Sequence, residues 1–487
     1  MKVLFVASEC TPYAKAGGLG DVVGALPKAL HALGVDVRVV LPKYAHIDVS
    51  GYQRHLAPLG VPLGDGTAWC ALHESRLPGT NVPVYFLEHD ALFGGAIYES
   101  YGGTVHEAAR FGLLSRGAFS LCRYLGFVPD VFHVHDWPSA WLPIMHNTVE
   151  AKYPFFDAAT VFTIHNMAHQ PRFPKEALAT LRIPESQFKP DGLEDFGQLN
   201  PFKGGAYHAT MITTVSPRYA WEIRTPEGGA GLHEVMEFRG ADLVGILNGI
   251  DEEVWNPEKD PYLAAHYAAE DLSGKAVCKR ALQRELGLDV GATTPLIGIV
   301  SRLNHQKGSD VIATTLDAIL AMGAQVVLLG SGDPTYEAVF AAKSEELRGR
   351  FAARIGFDEG LSHRIEAGAD LFLMPSRFEP CGLNQMYSQR YGTLPIVTAT
   401  GGLDDTVEQC DPATARGTGF KLSYLSSSTL LHTIDWALSV YRDAPLVFRT
   451  MQERCMEKPM GWEPAAIRYR ELYQWALERR RPAFRAS

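Results

Sequence analysis

Glu379 stands in the run Pro375-Ser-Arg-Phe-Glu-Pro-Cys-Gly-Leu383, between a mostly apolar stretch at 369–374 and a helical pattern continuing to Arg390. A buried strand followed by a helix N-terminus leaves the backbone N–H groups of Gly382 and Leu383 unspent, which suits an anion such as a phosphate. A carboxylate beside an anion site is electrostatically costly. It is justified if it binds a sugar hydroxyl or stabilises positive charge growing on a glycosyl carbon. The plainer alternative is an acidic cap with no chemistry.

Two further loops follow strands and carry cations. Lys15-Ala-Gly-Gly-Leu-Gly-Asp21 opens a helix after the first strand. Its glycines let a ligand approach the backbone, and Lys15 adds charge at the helix start. The spacing is neither the dinucleotide fingerprint nor a P-loop, and a plain tight turn is the competing reading. Ser301-Arg-Leu-Asn-His-Gln-Lys-Gly308 places Arg302 and Lys307 where open α/β sheets bind ligands. A guanidinium and an ammonium there suit a diphosphate, and Gly330-Ser-Gly-Asp333 offers more backbone donors; a solvated basic loop is the alternative. His133-Val-His-Asp-Trp137 and Thr163-Ile-His-Asn-Met167 end two more strands. In a strand His133 and His135 share a face while Asp136 turns away, so a metal reading lacks a third ligand. Asp136-Trp137 is a pair that sugar sites use for hydroxyl binding and stacking; a core Trp with a capping Asp is the other possibility.

These loops need a scaffold of parallel strands. Apolar runs at 2–7, 35–41, 82–87, 131–135, 159–164 and 211–215 alternate with helical patterns, such as the one over 22–33. The alternation restarts with 296–301, 325–330, 371–374 and 394–397. The expected fold is therefore α/β, two Rossmann-like domains facing a cleft, with parallel sheets covered on both faces. Domain limits are expected at 1–245 and 246–464, with a turn-rich hinge around 245–251. A helix over 465–480, within a final segment 465–487, would cross back onto the first domain.

The chain's 487 residues are too many for one core. A net charge of −10 argues against a general nucleic-acid binder. Seven scattered cysteines contain no C-x-x-C pair, so neither a disulfide framework nor a zinc site is indicated. The first apolar run is broken at Ser8-Glu9 and is too short for a signal core, and nothing reaches membrane-spanning length. A cytoplasmic location is expected.

Taken together the motifs resemble those of the bacterial glycogen synthases and plant starch synthases. The resemblance runs nearly end to end, through Lys15 to Asp21, His135-Asp-Trp137, Thr163-Ile-His-Asn166, Gly245-Ile-Leu-Asn-Gly-Ile-Asp251, Gln306-Lys-Gly308, Pro375 to Leu383 and Thr400-Gly-Gly-Leu-Asp-Asp-Thr406. Ala16, Ala399 and Asn304-His305 depart from commoner residues. The resemblance implies the two-domain GT-B fold and retaining transfer of glucose from ADP-glucose to the non-reducing end of an α-1,4-glucan. It implies no metal and no pyridoxal phosphate. Glu379, Asp136, His165, Arg302 and Lys307 would then be catalytic. Lys15, Gly17, Gly18, Asn248, Arg302, Lys307, Cys381, Gly382 and Leu383 would hold the nucleotide sugar, and Trp137 the acceptor. The partners implied are ADP-glucose and glycogen, with no nucleic acid and no membrane. A UDP-sugar enzyme of the same fold, a phosphorylase and a binding-only protein are the competing readings.

Overall fold

A computed structural model describes residues 1–99, 103–151, 155 and 157–481. It contains two compact units, Met1–Asn248 joined by the segment from Trp462 onward, and Gly249–Gly461. The last six residues of the expected 465–487 segment lie outside the described residues.

The first unit is built on a ten-stranded sheet. Its centre is parallel, in the order Leu243–Gly245, Met211–Thr214, Ala159–Ile164, Val131–His135, Lys2–Val6, Asp36–Pro42 and Pro83–Glu88. Val131–His135 and Ala159–Ile164 are buried along their whole length, as continuous apolar runs under two helical layers must be. The sheet departs from the parallel expectation at one edge. Gly66–Arg76 pairs antiparallel with both Pro83–Glu88 and Leu59–Leu63. The Gly64-Asp65 turn, with Gly64 at φ +54, folds that hairpin back on itself.

The C-terminal helix, Trp462–Arg480, packs into this same unit. Ala465, Ala466, Tyr469, Leu472, Tyr473 and Ala476 recur at helical spacing and are buried against Val3, Phe5 and Leu26. Leu472 alone stabilises the docking by about 2 kcal/mol. Tyr473 also bonds His133 Nδ1 at 2.8 Å, tying the last helix to a central strand.

The second unit carries six parallel strands in the order Phe351–Ile355, Gln325–Gly330, Leu296–Val300, Leu371–Met374, Leu394–Thr398 and Phe420–Leu422. Helices such as Ser309–Ala321 and Ser427–Asp443 cover one face with Val311, Ile312, Leu316, Ile434 and Leu438. In both units the candidate loops leave the C-terminal ends of parallel strands, where ligands of such sheets bind.

Candidate active site

In the first unit, Lys15, Gly17, Gly18, Asp136, Trp137, His165 and Asn248 all follow the C-terminal ends of strands, Asp136 and Trp137 in the short helix Asp136–Ser139 and Gly18 at the start of Gly18–Ala32. The helix after the first loop begins at Gly18, with Gly17 as an extended N-cap at φ −154. A Cβ at Gly17 or at Gly18 would meet no described atom within 4 Å. Packing therefore does not demand glycine at either position, and open space lies above both. At Gly24 it does, because a Cβ would sit 2.7 Å from the Thr11 carbonyl.

The loop is not an empty anion cradle. Glu9 Oε2 accepts the N–H groups of Ala16 and Gly17 at 2.7 and 2.8 Å, and Tyr98 donates to Glu9 Oε1 at 2.6 Å. Two of the loop's backbone donors are thus held by a buried carboxylate of the chain itself. Lys15 Nζ lies 2.7 Å from Asp21 Oδ1 with about half of its side chain exposed, so it has a counter-charge but keeps its freedom to move.

Asp136 ends the Val131–His135 strand in a left-handed turn, φ 50. That turn carries its carboxylate back to accept the His165 N–H at 2.7 Å. Burial pushes the carboxyl up to about 7, the His165 and Asn166 N–H groups pull it down, and nearby Glu9 adds to the rise. His165 is lowered to about 3 by burial and is neutral at neutral pH. Its Nε2 lies 3.1 Å from His135 Nδ1. His135 Nε2 is buried with no hydrogen-bond partner among the described residues. An orphaned acceptor costs less than an orphaned N–H, which puts the shared proton on His135 Nδ1 and the His165 proton on Nδ1, free for a ligand oxygen. Both nitrogens of His133 are engaged, Nε2 with Thr163 at 2.6 Å and Nδ1 with Tyr473. Its ring packs at a tilt of 35° against that of His135, centroids 4.2 Å apart, so the two histidines share a face as expected.

Trp137 is buried, its ring 4.8 Å from Phe111, 5.8 Å from Phe173 and 6.0 Å from Tyr98. Asn248 Oδ1 is buried and unbonded among the described residues, an acceptor awaiting a donor.

The second unit brings together Lys307, Glu379 and Gly382. Lys307 and Glu379 form an ion pair, largely buried on both sides, and Ser376 Oγ donates to the same Glu379 oxygen at 3.0 Å. The cost of a carboxylate here is thus met partly by the chain's own lysine. Gly308, at φ +74, allows the approach, since a Cβ there would lie 2.4 Å from the Pro375 carbonyl. Gly382 sits at φ +72, a conformation that suits glycine. Leu383 caps the Asn384–Arg390 helix without a side-chain bond. Neither the Gly382 nor the Leu383 N–H is taken by another group among the described residues. Cys381 is buried beside them, its carbonyl accepting from Gln385 at 3.1 Å. Arg302 is exposed, with no hydrogen bond or ion pair among the described residues. The loop after Gln325–Gly330 contributes less than expected. The Gly332 N–H goes to Glu337 and that of Asp333 to the Leu303 carbonyl.

Glu9, Tyr98 and Ser376 are absent from the sequence-derived site. Glu9 carried a signal, a lone carboxylate where the first parallel strand ends. All seven cysteines are free and buried. No helix among the described residues is long and apolar enough to cross a membrane.

Residues 2–238 match the family model for the starch synthase catalytic domain, and residues 288–439 that for glycosyl transferases group 1. The chain is 49% identical to "Glycogen synthase 1" of Geobacter sulfurreducens, covering 99% of this chain and 97% of that one. It is 50% identical to "Glycogen synthase" of Anaeromyxobacter dehalogenans, over 97% of this chain and 99% of the relative. Among solved structures, the catalytic domain of Starch Synthase IV from Arabidopsis thaliana, bound to ADP and acarbose, superposes with a TM-score of 0.90. The two are 34% identical, over 98% of this chain and 99% of that one.

Proposed function

Because the chain belongs to the glycogen and starch synthase family, we infer that it is an ADP-glucose-dependent glucosyltransferase that extends the non-reducing end of an α-1,4-glucan with retention at the anomeric carbon. One observation supports the donor side of this reading most directly. In the second unit Arg302, an exposed guanidinium with no partner among the described residues, lies on the same loop as Lys307, whose pair with Glu379 is followed by the unspent N–H groups of Gly382 and Leu383. Cations and backbone donors receive a departing diphosphate, while the carboxylate faces charge growing on the sugar.

On this reading the second unit binds ADP-glucose, and Arg302 and Lys307 neutralise the leaving ADP. Glu379 binds glucose hydroxyls and stabilises an oxocarbenium-like carbon, with attack from the leaving group's side. The first unit supplies the acceptor side. His165 binds the sugar, Asp136 holds a sugar or acceptor hydroxyl, and Asn248 offers its buried carbonyl oxygen to the nucleotide sugar. Trp137, enclosed by Phe111 and Phe173, shapes the acceptor site as the wall behind it. Lys15, Gly17 and Gly18 approach the nucleotide sugar, Lys15 by leaving Asp21. The charges needed all come from the chain, so no metal and no pyridoxal phosphate is assigned.

Initial rates with ADP-glucose and UDP-glucose on the same glucan primer test the reading. A clear preference for ADP-glucose is expected. A UDP preference would place the chain with UDP-sugar enzymes of the same fold, and glucan binding without turnover would make it a binding protein.

A further inference from the structure

A solvent-facing aromatic ring sits at a very tight turn of the first unit. Glu194–Asp195 pairs antiparallel with Gln198–Leu199, and only Phe196 and Gly197 join them. Both have positive φ, 52 and 78, as the mirror-image turn that closes so short a hairpin demands. Gly197 meets that demand freely, and its N–H donates to Glu194 Oε1 at 2.8 Å. Phe196 does not. The first position of such a turn favours Asn, Asp or Gly, and a bulky side chain there is strained. Strain of this kind clusters at ligand clamps and active sites. Inside the fold the ring has little use, since Phe196 is 85% exposed.

The ring is nonetheless held in place. The Arg172 guanidinium lies 5.0 Å from its centroid, behind one face. Arg172 is fixed in turn by the buried Asp195, whose Oδ2 accepts from Arg172 Nε at 2.7 Å and from Asn200 Nδ2 at 3.0 Å. The charged residues that hold the hairpin come in opposite signs. Arg172 is paired with Asp195, and Lys203, bonded to the Glu194 carbonyl at 2.6 Å, stands against the Glu194 carboxylate. The hairpin is also continuous with the candidate site. Phe173 and Leu199 exchange both backbone hydrogen bonds at 2.8 Å, and the Phe173 ring lies 5.8 Å from that of Trp137. Phe196 is three residues from Leu199, so at most about 11 Å of chain separates it from that contact.

We propose, resting on the glucosyltransferase reading above, that Phe196 is a stacking platform for an inner glucose ring of the acceptor glucan and so sets how strongly longer chains are preferred. One face of a pyranose ring carries mainly C–H groups, with the hydroxyls around its rim. Such a face covers a flat aromatic ring and needs no counter-charge. That matches an open phenyl face whose charged neighbours already answer one another. Phe173 touches Trp137 on one side and the hairpin on the other, so the sugar at Phe196 lies away from the reacting end. A short acceptor therefore gains nothing from it.

Phe196→Asn in the full chain is the variant that tests this, because Asn-Gly is a pair this turn prefers, so the ring goes while the strain is relieved. Its melting temperature should match or exceed that of the wild type. At saturating ADP-glucose its KM for maltoheptaose should rise at least ~5-fold, while the KM for maltotriose and that for ADP-glucose stay within ~2-fold. Phe196→Tyr should keep the wild-type values. An unchanged maltoheptaose KM in Phe196→Asn would overturn the platform. So would an equal rise for both acceptors, or a fall in melting temperature that Phe196→Tyr restores, either of which marks a structural role only. Calorimetric titration of maltoheptaose into the same proteins separates this proposal from the reading it rests on. Binding that depends on Phe196 without turnover of ADP-glucose would keep the platform and sink the enzyme. Equal binding by wild type and Phe196→Asn would overturn the platform whatever the turnover.

Discussion

Replacing Asp136 by Asn should stabilise the protein at alkaline pH and do nothing for it in acid. A carboxyl whose pKa rises from 3.8 to about 7 on folding penalises the native state by roughly 4 kcal/mol once it is fully ionised. The sign follows from proton counting. Between these two values the native state holds the proton more tightly than the unfolded chain, so stability falls as pH rises through the window. Below it both states are protonated and the penalty vanishes; above it the penalty is complete. Asn keeps an oxygen to accept the His165 N–H and tolerates the left-handed φ of 50. Its new N–H₂ returns about 1–3 kcal/mol of the gain if it lacks an acceptor. A net gain of roughly 2 kcal/mol at pH 8 remains, on the order of 5 °C in melting temperature for a unit of this size. Calorimetry of both proteins between pH 4.5 and 8.5 is the assay. A melting-temperature difference that stays constant across that range would refute the reasoning, because then no proton is bound differently at Asp136. Activity should move the other way, the Asn variant turning over more slowly and losing the kcat/KM inflection near the Asp136 value of about 7.

Glu379→Gln should lower kcat at least ~100-fold, about 3 kcal/mol of transition-state stabilisation, with ADP affinity little changed; near-normal turnover would reduce the carboxylate to a cap. Lys307→Ala should weaken ADP binding and also cost roughly 3 kcal/mol of stability, since it strands the Glu379 charge; adding Glu379→Gln should restore most of the stability but not the affinity. Arg302→Ala, which breaks no pair, should weaken ADP without changing the unfolding midpoint, and an equal loss of stability in both variants would contradict the contrast drawn between them. Gly18→Ala should leave stability within ~1 kcal/mol yet raise the KM for ADP-glucose, whereas Gly24→Ala should destabilise through its clash with the Thr11 carbonyl. Prior treatment with EDTA, or added Mg²⁺, should leave the rate unchanged, and a strict metal requirement would count against a charge scheme built from side chains alone.

The strands Val131–His135, Ala159–Ile164, Gln325–Gly330 and Leu371–Met374 fall where their apolar runs ended in the sequence, because a strand buried on both faces must be apolar throughout. The Leu59–Leu63 and Gly66–Arg76 hairpin escaped that test. It is half-exposed, so its pattern alternates and is diluted by Trp69, His73 and Glu74. Phe351–Ile355 escaped for another reason, its Ala-Ala-Arg centre lacking the β-branched residues that mark a strand. At the site, residue types at strand ends were legible but their partners were not. The His135–His165 contact joins residues 30 apart through neighbouring strands, and Glu9, a lone carboxylate after the first strand, gains its partners only when the loop at Ala16 and Gly17 folds over it.

Those hidden partners change how the loops bind. Every cation of the two motif loops except Arg302 already faces a carboxylate, so ligand binding is an exchange of ion pairs, and the exchange is unequal in cost. Lys15 is half-exposed and its bond to Asp21 is solvated; such a pair is worth about 0–1 kcal/mol and opens readily toward a ligand. Lys307 and Glu379 are largely buried, and separating them would strand two charges. On the proposed function a phosphate joins that pair instead of replacing it, with Lys307 shared between the carboxylate and the diphosphate. On the proposed function Arg302, exposed and without a counter-charge among the described residues, is the group that meets an incoming diphosphate first. In the first unit's loop the backbone donors at Ala16 and Gly17 are committed to Glu9, while the lysine is free to turn.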